Sequence, residues 1–199
     1  MKLTKFEFAP EDFIHKSIAQ DLWEIEDEIK CELKLNHNES FIYSLKKGFR
    51  TNYRSGPKWI DSIAPKFGTP KIKISWMIHD ANYEGYLSKK DADKLLYLML
   101  METELEKMNC EIIYIGLRIF GGFNYQSTKD NNHIEFEHKI MPRKTRSILE
   151  KTTDPEDLLT EINVIFEGTN REVINEELKK IAEKNNFGYN EEQLDVYYK

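Results

Sequence analysis

Residues 70–100 read PKIKISWMIHDANYEGYLSKKDADKLLYLML, and the fold turns on them. The stretch holds two helical runs with a short break between. Gly85 is a good helix stop, which predicts a first run over about residues 71–84. Ser88 suits the cap of the second run, about residues 89–107, with Asp91 three positions on as a variant capping box. So short a connection predicts that the two helices pack antiparallel. Asn109 suits the cap of a third helix ending at Gly121-Gly122.

Working outward, Pro10, Glu11 and Asp12 suit a helix N-terminus, and Phe13, Ile14, Ile18, Leu22 and Ile25 recur at helical spacing. They predict a helix from about Pro10 to Glu28. The period then becomes two: Ile29, Cys31, Leu33 and Leu35 alternate with Lys30, Glu32 and Lys34. With the segments FIYSL and FRTNY around Lys47-Gly48, this predicts one small antiparallel sheet. Beyond a polar loop after residue 124, HIEFEHKI alternates like a strand, and Asp154-Pro155-Glu156 opens a helix through about Glu167. Asn170 caps another through about Lys184. Tyr189, Leu194, Val196, Tyr197 and Tyr198 put too many apolar groups in the last residues for a free tail, so that segment should dock. The expected fold is α+β and mostly helical: an antiparallel helix core with a small antiparallel sheet, residues 1–125, and a helical C-terminal extension, residues 126–199.

The chain has 199 residues, long enough to bury a core without staples. Its apolar content of 40% excludes a wholly disordered chain. A net charge of -6 argues against non-specific nucleic-acid binding, which needs a basic face. Cys31 and Cys110 lie in apolar patterns and read as buried free thiols. MKLTKFEFAPEDF has no apolar core of a signal peptide, and no run of residues is long enough for a membrane span.

The chemistry-bearing pattern is His79-Asp80-x-x-Tyr83 on one helix and Ala92-Asp93 on the next. His79 and Tyr83, four apart, share a face. Antiparallel packing brings Asp93 to His79, where a carboxylate on one imidazole nitrogen leaves the other as a base. Asp80 points to a different surface and offers oxygens to a hard cation. A histidine on an apolar helix is, however, more often a hydrogen-bonded structural residue. Elsewhere, His133, Glu135 and Glu137 read as a solvated strand face, and Lys46, Lys47, Arg50, Arg54 and Lys58 as a basic turn.

GFRTNYRSGPKWI, PKFG, WMIHDANY, SKKDADKLLYLML and GLRIFGG, in that order, resemble a family largely encoded by tailed bacteriophages and prophages, domain of unknown function thirteen fifty-three. The resemblance covers about residues 40–123. It rests on Gly48, Phe49, Thr51, Ser55, Pro57, Pro65, Gly68, His79, Asp80, Tyr83, Ser88, Ala92, Asp93, Arg118, Gly121 and Gly122. The helix pair is also similar to that of phospholipase A-two enzymes. That resemblance implies His79 as base, Asp80 as calcium ligand, Asp93 as orienter and Tyr83 as support for Asp93. The chain departs from the phage pattern at Asn52 and Tyr53, where Asp and Gly are usual, and Arg54 adds a positive charge. A weakened calcium loop follows.

Two functions are therefore expected. The first is a phage-derived structural or interaction protein, virion-associated in a neck, ring or tail, with other virion proteins as partners in an oligomer or larger assembly. The alternative is a calcium-dependent lipid ester hydrolase using His79, Asp93 and Tyr83, with Asp80 on the metal. No cofactor is expected in the first case and calcium in the second. Neither involves sequence-specific nucleic acid or a transmembrane segment, and lipid enters only with the hydrolase. The expected location is the virion or the host cytoplasm.

Overall fold

The computed structural model describes residues 3–20, 22–35, 40–45, 47–53, 58–64, 68–83, 87–121, 147–151, 166 and 169–198. The fold is α+β, with four α-helices and two small antiparallel sheets among the described residues. The strands are β1 (Leu3–Ala9), β2 (His15–Ala19), β3 (Leu22–Ile25), β4 (Ile29–Leu35), β5 (Ser40–Leu45), β6 (Arg50–Thr51) and β7 (Ser147–Lys151). The helices are α1 (Pro70–Tyr83), α2 (Lys89–Leu100), α3 (Lys107–Phe120) and α4 (Arg171–Asn185).

The expected helix from Pro10 to Glu28 is not there; β2 and β3 stand in its place. Helical spacing placed Ile14 and Leu22 on one face, yet Ile14 is 57% exposed while Leu22 is buried. β3 is pinned by long-range pairing: Trp23 lies opposite Thr51 and Glu24 opposite Arg50. Arg50 Nε donates to Glu24 Oε2 at 3.0 Å across that pair. Tertiary pairing overrides local periodicity here. The fold accordingly has a second sheet, ordered β2-β3-β6, and is less dominated by helix than expected.

The larger sheet runs β1-β4-β5-β7. Its alternation is the one expected for residues 29–35: Ile29, Cys31 and Leu33 are buried, while Lys30 is exposed. Cys31 sits opposite Phe8 on one side and Tyr43 on the other. Both cysteines are free and buried. Gly48, at φ +87, takes the left-handed turn between β5 and β6 that a side chain would strain.

Helix α1 is buried nearly all round from Ile72 to Tyr83, and α2 from Asp91 to Leu100. Helices buried on nearly every side lie in the middle of the domain, and these two carry His79, Asp80 and Asp93 into it. Ser88 caps α2 as expected, accepting from the Asp91 backbone N–H. α2 nevertheless ends at Leu100, short of residue 107. Its last carbonyls are taken by a turn in which Met101, Glu102 and Thr103 donate back. α3 starts at Lys107, and its N-cap is Glu106 rather than Asn109. Gly116 lets α3 meet the 3-10 turn Lys58–Ser62; a Cβ there would lie 2.5 Å from the Trp59 ring.

Asn170 caps α4 as expected, accepting from the backbone N–H groups of Glu172 and Val173. The last residues dock on α3 and α4. Leu194 is fully buried, Phe187 stacks on Phe120 at 5.1 Å, and Tyr197 meets Tyr114 edge-on at 6.0 Å. Val196 departs from this pattern at 76% exposed. The expected strand of residues 133–140 and helix of residues 154–167 lie outside the described residues, as do Gly85 and Gly122.

Candidate active site

Asp93 is the hub of the site. It is fully buried on α2, and both carboxylate oxygens are bound. Oδ1 faces α1: His79 Nε2 lies 3.0 Å away and the Tyr83 hydroxyl donates at 2.5 Å. Oδ2 faces cations: Lys89 Nζ donates at 2.8 Å and Arg118 Nη1 at 3.2 Å. Lys89 also donates to the Leu117 carbonyl at 2.8 Å. One carboxylate thus ties α1, α2 and α3 together.

Local helix geometry explains the convergence. His79 and Tyr83 lie one turn apart on α1, their rings 4.1 Å apart, and both reach the same oxygen. Lys89 and Asp93 are the corresponding i, i+4 pair on α2. Burial opposes the charge on Asp93, but the hydrogen bond and charge of His79, with Lys89, outweigh it and hold the carboxyl down to about 2. Burial pushes the Lys89 ammonium down, opposed by Asp93. Burial also works against the Arg118 charge, yet Asp93 leaves the guanidinium raised. The Tyr83 hydroxyl is pushed up strongly, by burial first and by Asp93 next.

A carboxylate this acidic accepts only, so Nε2 of His79 carries the proton between them. In the neutral ring the lone pair is then on Nδ1. That atom is buried and has no hydrogen-bond partner among the described residues. An orphaned imidazole nitrogen beside a fully satisfied carboxylate is uncommon and asks for an explanation.

Asp80 points elsewhere, as expected from its place on the helix. The Thr51 hydroxyl donates to its Oδ2 at 2.6 Å. Thr51 Oγ1 also accepts from the Tyr53 backbone N–H at 2.8 Å. Tyr53 sits in the left-handed region at φ 53, with its side chain buried and its hydroxyl 2.9 Å from His15 Nδ1. So Tyr53 adopts the backbone that Gly favours and fills the space with a packed ring. Calcium takes about six to eight oxygens. Among the described residues no group of three acidic, His or Cys side chains could hold a metal, and Asp80 alone does not fit the ion. Residues 54–57 of the expected calcium loop lie outside the described residues.

Of the expected site residues, His79, Tyr83 and Asp93 are brought together, and Asp80 is held separately by Thr51. Lys89 and Thr51 had no assigned role in the sequence, nor did Arg118. The four-residue spacing of Lys89 and Asp93 was the available signal for the first. His133, Glu135, Glu137, Lys46 and Arg54 lie outside the described residues, and Arg50 is paired with Glu24.

Residues 23–117 match the model of a family described as Protein of unknown function (DUF1353). The match begins at β3, upstream of the region the motifs pick out, and takes in both sides of the His79–Asp93 contact. It supports a domain of a family of unknown function over those residues. No curated protein and no solved structure matches the chain.

Proposed function

We propose that His79 is the general base of a hydrolase acting on lipid esters, with Asp93 as its orienting carboxylate. The observation that carries this is Nδ1 of His79, which has no partner among the described residues, on a ring whose Nε2–H is spent on Asp93. In this reading Nδ1 takes a proton from water, and the hydroxide adds to the ester carbonyl. The imidazolium, opposite an ionised Asp93, then returns the proton to the leaving alcohol. One water is consumed, and one acid and one alcohol are released. Tyr83, Lys89 and Arg118 keep Asp93 fixed and ionised through the cycle. Asp80, anchored by Thr51, has no part in this step, because on its own it does not fit calcium.

The second reading is a phage-derived structural or interaction protein, associated with a virion neck, ring or tail and assembled with other virion proteins. Two observations favour it. The His79 side chain has no exposed surface, and Asp93 is saturated by four donors that brace three helices. No helix among the described residues is long and apolar enough to cross a membrane.

One assay separates the two. Purified protein is given vesicles of anionic and of zwitterionic phospholipid, with calcium and with chelator, beside a His79→Ala control. Turnover that falls by about 10²–10⁴-fold in the control supports the base role. No turnover on any lipid class, from folded protein, refutes the hydrolase and leaves the interaction reading.

A further inference from the structure

Strand β1 lies at the edge of the larger sheet. The order is β1-β4-β5-β7, so among the described residues β1 has a strand on one side only. A groove of about 620 Å³ lies against it, and three consecutive residues of the strand, Phe6, Glu7 and Phe8, line that groove. Neighbours in a strand point to opposite faces of the sheet. A groove that touches all three therefore follows an edge of the strand, and the other edge is taken by β4. An edge strand presents main-chain N–H and C=O groups with which an extended peptide can pair.

The lining of the groove is acidic. Glu11 and Asp12, just past β1, and Glu104, just before α3, join Glu7 in it, and all four are exposed. Glu7 lies 3.2 Å from Lys5 Nζ, and Glu104 accepts from the Thr69 hydroxyl at 2.9 Å. Lys71, at the start of α1, is the cation among the described lining residues. Its Nζ turns to other groups, lying 5.6 Å over the Phe6 ring and donating to the Glu102 carbonyl at 3.4 Å. The aromatic wall thus already carries an ammonium on one ring. Phe8, its ring 6.1 Å from that of Phe6, is half-buried and offers apolar surface for the stem of a long basic side chain.

We propose that the free edge of β1 docks an extended basic segment of a partner protein, which adds as a further strand and sets lysine or arginine side chains among Glu7, Glu11, Asp12 and Glu104. Charge decides the occupant. A second copy of this chain seated through the same groove would bring a second set of these carboxylates into it, and like charges set together are unfavourable. A basic segment meets them with the opposite sign. The site owes nothing to His79, so it stands apart from the hydrolase reading.

The test is titration of the full chain with a labelled peptide of alternating lysine and valine, about ten residues long. Binding is read by fluorescence anisotropy, and the β1 amides by hydrogen exchange. The expected result is saturable binding that weakens as salt is raised, with slower exchange in β1 and none of either with a glutamate–valine peptide. Glu11→Lys combined with Asp12→Lys reverses two exposed charges and should weaken binding by about 10-fold. Glu176→Lys, an exposed acid on α4 outside the groove, should leave it unchanged. A lysine–proline peptide keeps the charge but loses half its main-chain donors, and it should bind more weakly. Failure of the lysine–valine peptide to bind overturns the proposal, as does equal weakening by the two acid-to-lysine variants. Equal binding of the lysine–proline peptide overturns strand addition. Slower β1 exchange on raising the protein concentration alone makes a second copy the occupant and overturns the basic partner.

Discussion

Replacing Asp93 with Asn removes one charge and turns one acceptor into a donor. Asp93 presents two acceptors to four donors, from His79, Tyr83, Lys89 and Arg118. An amide offers one oxygen. Its NH2 must face either the His79 and Tyr83 side or the two cations, and both directions already hold donors. The buried cations lose their counter-charge as well. Breaking a buried pair from one side costs about 3–5 kcal/mol.

The acid dependence gives a sharper figure. The Asp93 carboxyl lies at about 2 in the fold against 3.8 as the ordinary value. A depressed carboxyl contributes stability that is fully present above the ordinary value and is lost as the pH falls through the folded one. That drop amounts to about 2 kcal/mol, of which about 1 kcal/mol is gone by pH 3. The assay is urea unfolding of wild type and Asp93→Asn at pH 6, 4.5, 3.5 and 3. Taking the difference at each pH cancels the other carboxylates. The gap should narrow by about 1 kcal/mol between pH 6 and pH 3. A gap that stays constant or widens would show that Asp93 is not held ionised by these partners, and the electrostatic account of the site would be wrong.

Gly116→Ala should lower stability by about 1–3 kcal/mol by driving a methyl into Trp59, read as a lower melting temperature; an unchanged melting temperature would mean that α3 does not press on the 3-10 turn. Thr51→Val should cost about 2 kcal/mol, because the hydroxyl donates to Asp80 and accepts from the Tyr53 N–H. Thr51→Ser should recover most of that loss in the same denaturant titration. Cys31 and Cys110 should resist a thiol reagent at pH 8 in the folded chain and both react in denaturant. Both are fully buried, and burial pushes the Cys110 thiol up to about 12. Rapid labelling of the native chain would contradict that burial.

Local pattern was enough wherever one element could satisfy itself. α1 and α4 appear within a residue or two of expectation, and the Ser88 and Asn170 caps act as their side chains suggest. A cap or an apolar stripe is a property of neighbours in sequence, so it can be read there. The alternation of Ile29, Cys31 and Leu33 is legible for the same reason. The meeting of His79, Tyr83 and Asp93 was also accessible, since it needs only helical spacing and a short connection.

Long-range partners decided the rest. Residues 10–28 carry a helical period, yet pairing of Trp23 with Thr51 and Glu24 with Arg50 makes strands of them. Arg118 lies 25 residues from Asp93, and Tyr197 reaches α3 only after the chain has turned back from α4. The asymmetry is physical. Helix hydrogen bonds and caps close over three or four residues. Strand pairing, buried charge compensation and docking of a terminal segment depend on groups that only the folded chain brings together. The amino-acid order determined that a His–Asp pair would form between two buried helices. Tertiary structure decided that two cations would lock the Asp, that Tyr53 would take the glycine-like turn, and that His79 Nδ1 would have no partner among the described residues.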